Sequence, residues 1–242
     1  MINYKTVNLG LLEGSLGFQY QNPHKVFQRL YKSYRYKFLF ESKDISPIYG
    51  RLSLIGIDPV LKITGKKDKF SIESLNKRGN FYIKQLNNKD FKICDGIEIS
   101  KENIRGTIDG NADTIEETER SKRKNIAQII RIILKKFAVV QKSFLGLYGG
   151  FSYDFIRLFE DIGENTPENE IDDFTLFLYD TFIFFDHLKQ TNKIIVYRRD
   201  MQEAENDIHV IHKKIKKNEE GKIEYEIKDA QFELDKDQYQ NL

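Results

Sequence analysis

Apolar positions in the first ninety residues come in short runs. Phe38-Leu39-Phe40, Leu52-Ser53-Leu54-Ile55-Gly56-Ile57 and Val60-Leu61-Lys62-Ile63 are each too short for a helix and are bounded by Gly, Pro, Asp and Ser, which predicts three strands. A polar loop, 43–49, separates the first two. Asp58-Pro59 punctuates the last two, because the residue before Pro is pushed away from the helical region. Phe70-Ser71-Ile72-Glu73-Ser74-Leu75 alternates with period two, as a half-solvated strand does. Turns at 65–68 and 76–80 flank it, and 81–86 reads as another strand. Residues 4–12 alternate loosely and read as an edge strand. One helix interrupts this meander. Asn22 supplies a cap, Pro23 fits the first turn, and Val26, Phe27, Leu30 and Tyr31 recur at helical spacing.

The rest of the chain mixes both periods. Residues 87–113 are polar and turn-rich and read as a surface excursion. A long helix is predicted over 121–137, with Ile126, Ile129, Ile130, Ile133 and Phe137 as its buried stripe. Residues 144–151 form a strand interrupted by Gly146, Gly149 and Gly150, a pattern that marks a bend or the close approach of another backbone. A short helix over 154–159 and an acidic loop over 160–173 follow. Residues 174–185 read as one buried strand, paired with 193–198. Residues 202–217 form a helix with Ala204, Ile208, Ile211 and Ile215 on one face. The expected fold is α/β in the broad sense (α+β): antiparallel strands in stacked or orthogonal sheets, with helices outside.

Composition narrows the function classes. With 242 residues the chain forms one large domain or two small ones, and a chain of this size buries roughly 70% of its unfolded surface. Lys+Arg of 39 against Asp+Glu of 37 gives no electrostatic case for nucleic acid or an anionic membrane as partner. The basic residues on the 121–137 helix read as a solvated face. A single cysteine, Cys94, excludes an internal disulfide and a cysteine-based zinc site, and it suits a reducing cytoplasm. No apolar run reaches membrane-spanning length, and residues 1–10 carry no signal-peptide pattern, so a cytoplasmic location is expected.

Four motifs invite chemistry, and each has a plainer reading. The glycines at 146, 149 and 150 lack the dinucleotide and phosphate-loop spacings and read as a bent strand. His209 and His212 lie three apart on a helix, without a third ligand nearby and among lysines. Asp186-His187 ends an aromatic strand; neighbours on a strand point to opposite faces, so a turn role is favoured over an acid–base dyad. The acidic loop lacks the ligand alternation of a calcium loop. No catalytic residue is nominated.

Phe38-Leu39-Phe40-Glu41-Ser42 resembles the Leu-Leu-Glu-Ser motif near the start of anthranilate synthase component I. Gly50-Arg51-Leu52-Ser53-Leu54-Ile55-Gly56 is similar to the Gly-Arg-Tyr-Ser-Phe-Ile-Gly that follows it, and Gly149-Gly150-Phe151-Ser152-Tyr153-Asp154 resembles that family's Gly-Gly-x-x-x-Tyr-Asp segment. Two matches in order, about a hundred residues apart, are more specific than either alone. The resemblance covers the amino-terminal half of the family. It implies a two-sheet architecture and a non-catalytic Asp186-His187 pair. It also implies a pocket for the feedback inhibitor L-tryptophan at Leu39, Phe40, Glu41 and Ser42, with Phe40 replacing the usual second Leu. The parent enzyme converts chorismate to anthranilate, taking ammonia from a glutamine amidotransferase subunit, component II.

In the family an acidic-then-Tyr segment like Asp235-Lys236-Asp237-Gln238-Tyr239 opens the chorismate-binding half. Hence residues 1–234 are expected to be the regulatory domain and 235–242 the start of a truncated or split chorismate-binding domain. Mg2+ and the chorismate ligands would belong to that missing half, and no activity is expected from residues 1–242 alone. Two alternatives stay open: the corresponding part of aminodeoxychorismate synthase component I, or a stand-alone amino-acid-binding module.

Overall fold

The computed structural model describes residues 1–7, 10–41, 50–109, 124–137, 143–160 and 170–217. The chain begins with β1 (Asn3–Thr6), β2 (Leu12–Phe18), α1 (Pro23–Leu30) and β3 (Lys37–Phe40). It continues through β4 (Leu52–Ile57), β5 (Leu61–Lys66), β6 (Lys69–Ser74), α2 (Lys77–Gln85), β7 (Gly96–Ile99) and β8 (Asn103–Thr107). After α3 (Ala127–Phe137) come β9 (Gly146–Phe151), β10 (Phe174–Tyr179), β11 (Thr181–Asp186), β12 (Thr191–Arg198) and α4 (Met201–Lys217). The strands form two six-stranded sheets, ordered β1-β2-β12-β11-β4-β3 and β7-β8-β6-β5-β10-β9. Every neighbouring pair is antiparallel. The fold is therefore α+β with two antiparallel sheets, as the residue pattern predicts.

The first sheet is covered on both faces. One face packs under α1 and α4, where Ile55, Ile57, Ile183, Ile194 and Val196 meet Val26, Leu30, Ile208 and Ile215. Its other face sends Phe182, Ile195 and Tyr197 into a core shared with the second sheet, α2 and α3. The second sheet alternates cleanly. Leu61, Ile63 and Gly65 of β5 are buried, whereas Lys62, Thr64 and Lys66 are half-buried.

The chain passes between the sheets at two points. One is Asp58-Pro59, between β4 and β5; the other is Asp180, between β10 and β11. Arg78, in the first turn of α2, holds both. Its guanidinium donates to the Asp58 carboxylate at 3.0 Å, the Asp58 carbonyl at 2.9 Å, and the Asp180 carboxylate at 3.1 and 3.2 Å. Arg198 pairs with Asp180 from the other side at 3.1 Å. Asp180 is 1% exposed. Burial raises its pKa, but Arg198 and Arg78 outweigh burial and hold the carboxyl below the usual carboxylate range.

Several elements differ from the sequence reading. Of the edge strand read over 4–12, residues 4–6 lie in β1, the terminal strand of its sheet, and Leu12 opens its partner β2; Gly10, at φ +68°, lies between them, and residues 8 and 9 are outside the described ones. The strand read over 81–86 is the second half of α2. Asn76 caps that helix by accepting from the Gly79 amide at 3.0 Å, and a side chain at 79 would fall 2.2 Å from the Val60 carbonyl. The surface excursion contains β7 and β8 and buries Phe91, Ile104 and Ile108; its residues 110–113 lie outside the described ones. The single strand over 174–185 is two strands in different sheets, broken at Asp180. The helix read from 121 runs over Ala127–Phe137, with 121–123 outside the described residues, and the short helix near 154 is a 3-10 turn over Tyr153–Leu158. No helix among the described residues is long and apolar enough to cross a membrane.

Candidate ligand site where two sheet edges meet

Strands β3 and β9 are the terminal strands of their sheets, and their side chains touch. The contact begins with a glycine. Phe38 of β3 lies opposite Gly56 of β4, and a Cβ at 56 would fall 2.1 Å from the Phe38 ring. The missing side chain lets the ring lie flat against the sheet and extend to Tyr148 of β9. Phe38 stacks on Tyr148 at 4.7 Å between centroids with 22° between planes. Tyr179 closes the group edge-on, 4.9 Å from Phe38 and 5.8 Å from Tyr148. Such aromatic pairs add about 0.5–1.5 kcal/mol each beyond burial. Thus the strand that carries the first motif forms one aromatic ledge with Tyr148, the residue of β9 that directly precedes the second motif, and with Tyr179.

Phe40 extends the ledge toward solvent. It lies 4.6 Å from Phe38 and 6.1 Å from Tyr148 and is 56% exposed. Strand alternation sends Leu39 to the opposite face, where it packs against the cluster under α1 and α4. Glu41 follows β3 and is exposed. Ser42 lies outside the described residues. The Tyr148 hydroxyl donates to the Phe144 carbonyl at 2.7 Å, and burial pushes its pKa up to about 12. The ledge therefore presents neutral aromatic surface. Sequence reasoning named Phe40 but missed Phe38, Tyr148 and Tyr179. The signal for Phe38 was its place two residues before Phe40 on the same strand face.

The remaining candidates are held by other contacts. Gly149 sits where a Cβ would fall 2.1 Å from the Thr175 carbonyl, so the glycine allows close strand approach, as its position in a strand predicts. Asp186 and His187 turn to different partners. Asp186 accepts from Arg51 at 3.1 Å and from the Lys189 amide at 3.0 Å, and the Arg51 hydrogen bond is the main reason its pKa is lowered. His187 places its ring nitrogens 2.7 Å from the Tyr20 and Ser53 hydroxyls. His209 lies 3.6 Å from Glu205, and burial, then Lys216, lowers the His212 pKa. Among the described residues no three His, Cys, Asp or Glu side chains gather as a metal site. Residues 161–169 of the acidic loop lie outside the described ones.

Comparison with known proteins points one way. The chain is 23% identical over 191 residues to anthranilate synthase component 1 of Vibrio cholerae serotype O1, covering 77% of this chain and 36% of that protein. It is 27% identical over 177 residues to anthranilate synthase component 1 of Escherichia coli strain K12, covering 72% and 34%. It is also 26% identical over 153 residues to the anthranilate synthase of Azospirillum brasilense, covering 62% and 21%. The chain thus spans about a third of the length of the first two relatives. The sequence profile of the chorismate binding enzyme family matches residues 81–242. The chain belongs to the chorismate binding enzyme family.

Proposed function

We propose that this chain is the amino-terminal, regulatory part of an anthranilate synthase component I, and that the aromatic ledge is the apolar wall of an L-tryptophan feedback site. The observation that carries this reading is the Phe38–Tyr148 stack, which brings the first motif strand against β9, the strand in which the second motif begins, beside the exposed Phe40. An indole needs flat aromatic contact, and an ammonium needs a carboxylate or carbonyls. Phe40 supplies the first, and Glu41 and Ser42 the second. Leu39 contributes by fixing the strand from the helix side.

In this reading tryptophan binds between the ledge and the chorismate-binding half and favours an inactive arrangement. The coupling would be about 1–3 kcal/mol, or roughly 5–150-fold in substrate affinity. Chorismate chemistry and Mg2+ are assigned to that other half. Ammonia would come from a glutamine amidotransferase subunit, component II. Residues 235–242, outside the described ones, would open the chorismate-binding domain.

The test is an L-tryptophan titration of this chain assembled with its chorismate-binding half. Binding should be saturable, should perturb Phe40 and Tyr148 resonances, and should fail in Ser42→Phe. Unchanged tryptophan binding by Ser42→Phe would overturn the assignment.

A further inference from the structure

A second, chemically different site lies on the far side of Asp180. A cavity of about 330 Å³ opens between the outer face of α2 and the junction of β12 with α4. Its floor is the ion-pair network: Arg78 and Arg198 reach it, but Asp58, Asp180 and Asp207 already occupy their guanidinia. Its rim is cationic. Lys77 and Lys84 are exposed and, among the described residues, have no ion-pair partner. Seven residues apart, they stand about 10 Å from each other along one side of the helix. Arg199 faces them across the Phe81 ring, 5.9 Å from its centroid, with Glu203 at 3.4 Å from its guanidinium. Five cationic side chains thus line the cavity against the two carboxylates of Asp180 and Glu203.

Inside the cavity wall is an orphaned donor. Tyr82 is 1% exposed, and its hydroxyl has no hydrogen-bond partner among the described residues. Tyr82 lines the cavity together with Asp180, Arg198, Arg78 and Glu203, whose charges act on its hydroxyl. Burying a hydroxyl without a partner costs about 1–3 kcal/mol, so a retained one calls for an acceptor. The acceptor that also suits the lysine rim is an anionic oxygen.

We propose that this cavity binds a small oxyanion, carboxylate or phosphate, with one oxygen on the Tyr82 hydroxyl and its charge shared by Lys77, Lys84 and Arg199. The site is separate from the aromatic ledge and does not depend on the tryptophan reading. The probes are inorganic phosphate and malonate, titrated into the full chain while amide and tyrosine resonances are followed. One or both should shift α2 and Arg199 signals with a dissociation constant at or below about 1 mM. Phosphate alone would identify a phosphorylated ligand, and malonate alone a carboxylate. Tyr82→Phe should weaken binding about tenfold or more, since hydrogen bonds to charged groups are the strong ones. Its melting temperature should be no lower than that of the natural chain, because only an orphaned hydroxyl is lost. Lys84→Gln, on the exposed helix face, should weaken binding independently. Failure of both probes at about 10 mM overturns the proposal. So does equal binding by Tyr82→Phe, which would mean diffuse attraction to surface lysines.

Discussion

Asp180→Asn is the most informative single change in this fold. The Asp180 carboxylate accepts from Arg78 at 3.1 and 3.2 Å and from the Thr181 hydroxyl at 2.8 Å, and it pairs with Arg198 at 3.1 Å. Each ion pair has a gross attraction of about 4 kcal/mol at an effective dielectric of about 20, most of it offset by desolvation. Asparagine keeps the shape, but it removes the charge and turns an amide donor toward a guanidinium donor. Arg78 retains Asp58, and Arg198 retains Asp207, so neither cation is stranded. The full cost of a stranded buried charge, about 3–5 kcal/mol, is therefore not reached; the expected loss is about 1–3 kcal/mol, that of buried donors deprived of their acceptor. At about 2–4 °C per kcal/mol for a chain of this size, melting should fall by roughly 2–12 °C.

The same change should reshape the acid limb of stability. The folded carboxyl titrates below its unfolded value, so the unfolded state binds more protons in between. The contribution is full above the unfolded pKa, about 4, and is lost as pH falls through the folded pKa. Urea unfolding of the natural chain should therefore weaken more steeply below about pH 4 than that of Asp180→Asn. A double-mutant cycle with Arg78→Met should show coupling of about 0.5–3 kcal/mol. A loss under about 1 kcal/mol, or full additivity, would refute the view that this network locks the two crossings.

Three further changes have simple readouts. Asn76→Ala removes both the α2 cap and a 3.1 Å bond from the Asn76 amide to the Pro59 carbonyl, so chemical denaturation should show a loss near the upper end of the cap range, about 2 kcal/mol. Gly149→Ala forces a methyl against the Thr175 carbonyl; about 1–3 kcal/mol should be lost, and amide exchange should quicken along β9 more than along β5. Burial pushes the Cys94 thiol up to about 11. Alkylation by iodoacetamide at pH 8 should run about a hundredfold slower than for a free thiol and climb toward pH 11; an ordinary rate would contradict the half-buried setting.

The legible parts of the fold were those with a local cause. Asn22-Pro23 opens α1, with the Asn22 side chain accepting from the His24 amide at 2.9 Å. The stripe Ala204, Ile208, Ile211 and Ile215 is the buried face of α4. What the pattern concealed depends on partners distant in sequence. Residues 174–185 are apolar apart from a few polar positions, and only Arg78 and Arg198 make Asp180 a buried crossing instead of a strand interior. Residues 81–86 alternate too little to separate strand from helix, and the cap at Asn76 lies in a stretch whose composition is that of a turn. Phe40 and Glu41 were legible as a candidate site because of a family resemblance. Their aromatic partner, Tyr148, was not, because no local rule says which sheet edges meet. The charged Asp180 within an aromatic run, and Tyr82 on a lysine-flanked helix, were the available signals for the second cavity.

The most direct measurement is product formation from chorismate and ammonia, with Mg2+ present, by the 242-residue chain alone and together with a chorismate-binding polypeptide from the same cells. The chain alone should form no anthranilate. The assembled enzyme should form anthranilate and be inhibited by L-tryptophan. Anthranilate from the chain alone, aminodeoxychorismate as the product, or an assembled enzyme indifferent to tryptophan would contradict its assignment as the regulatory part of an anthranilate synthase.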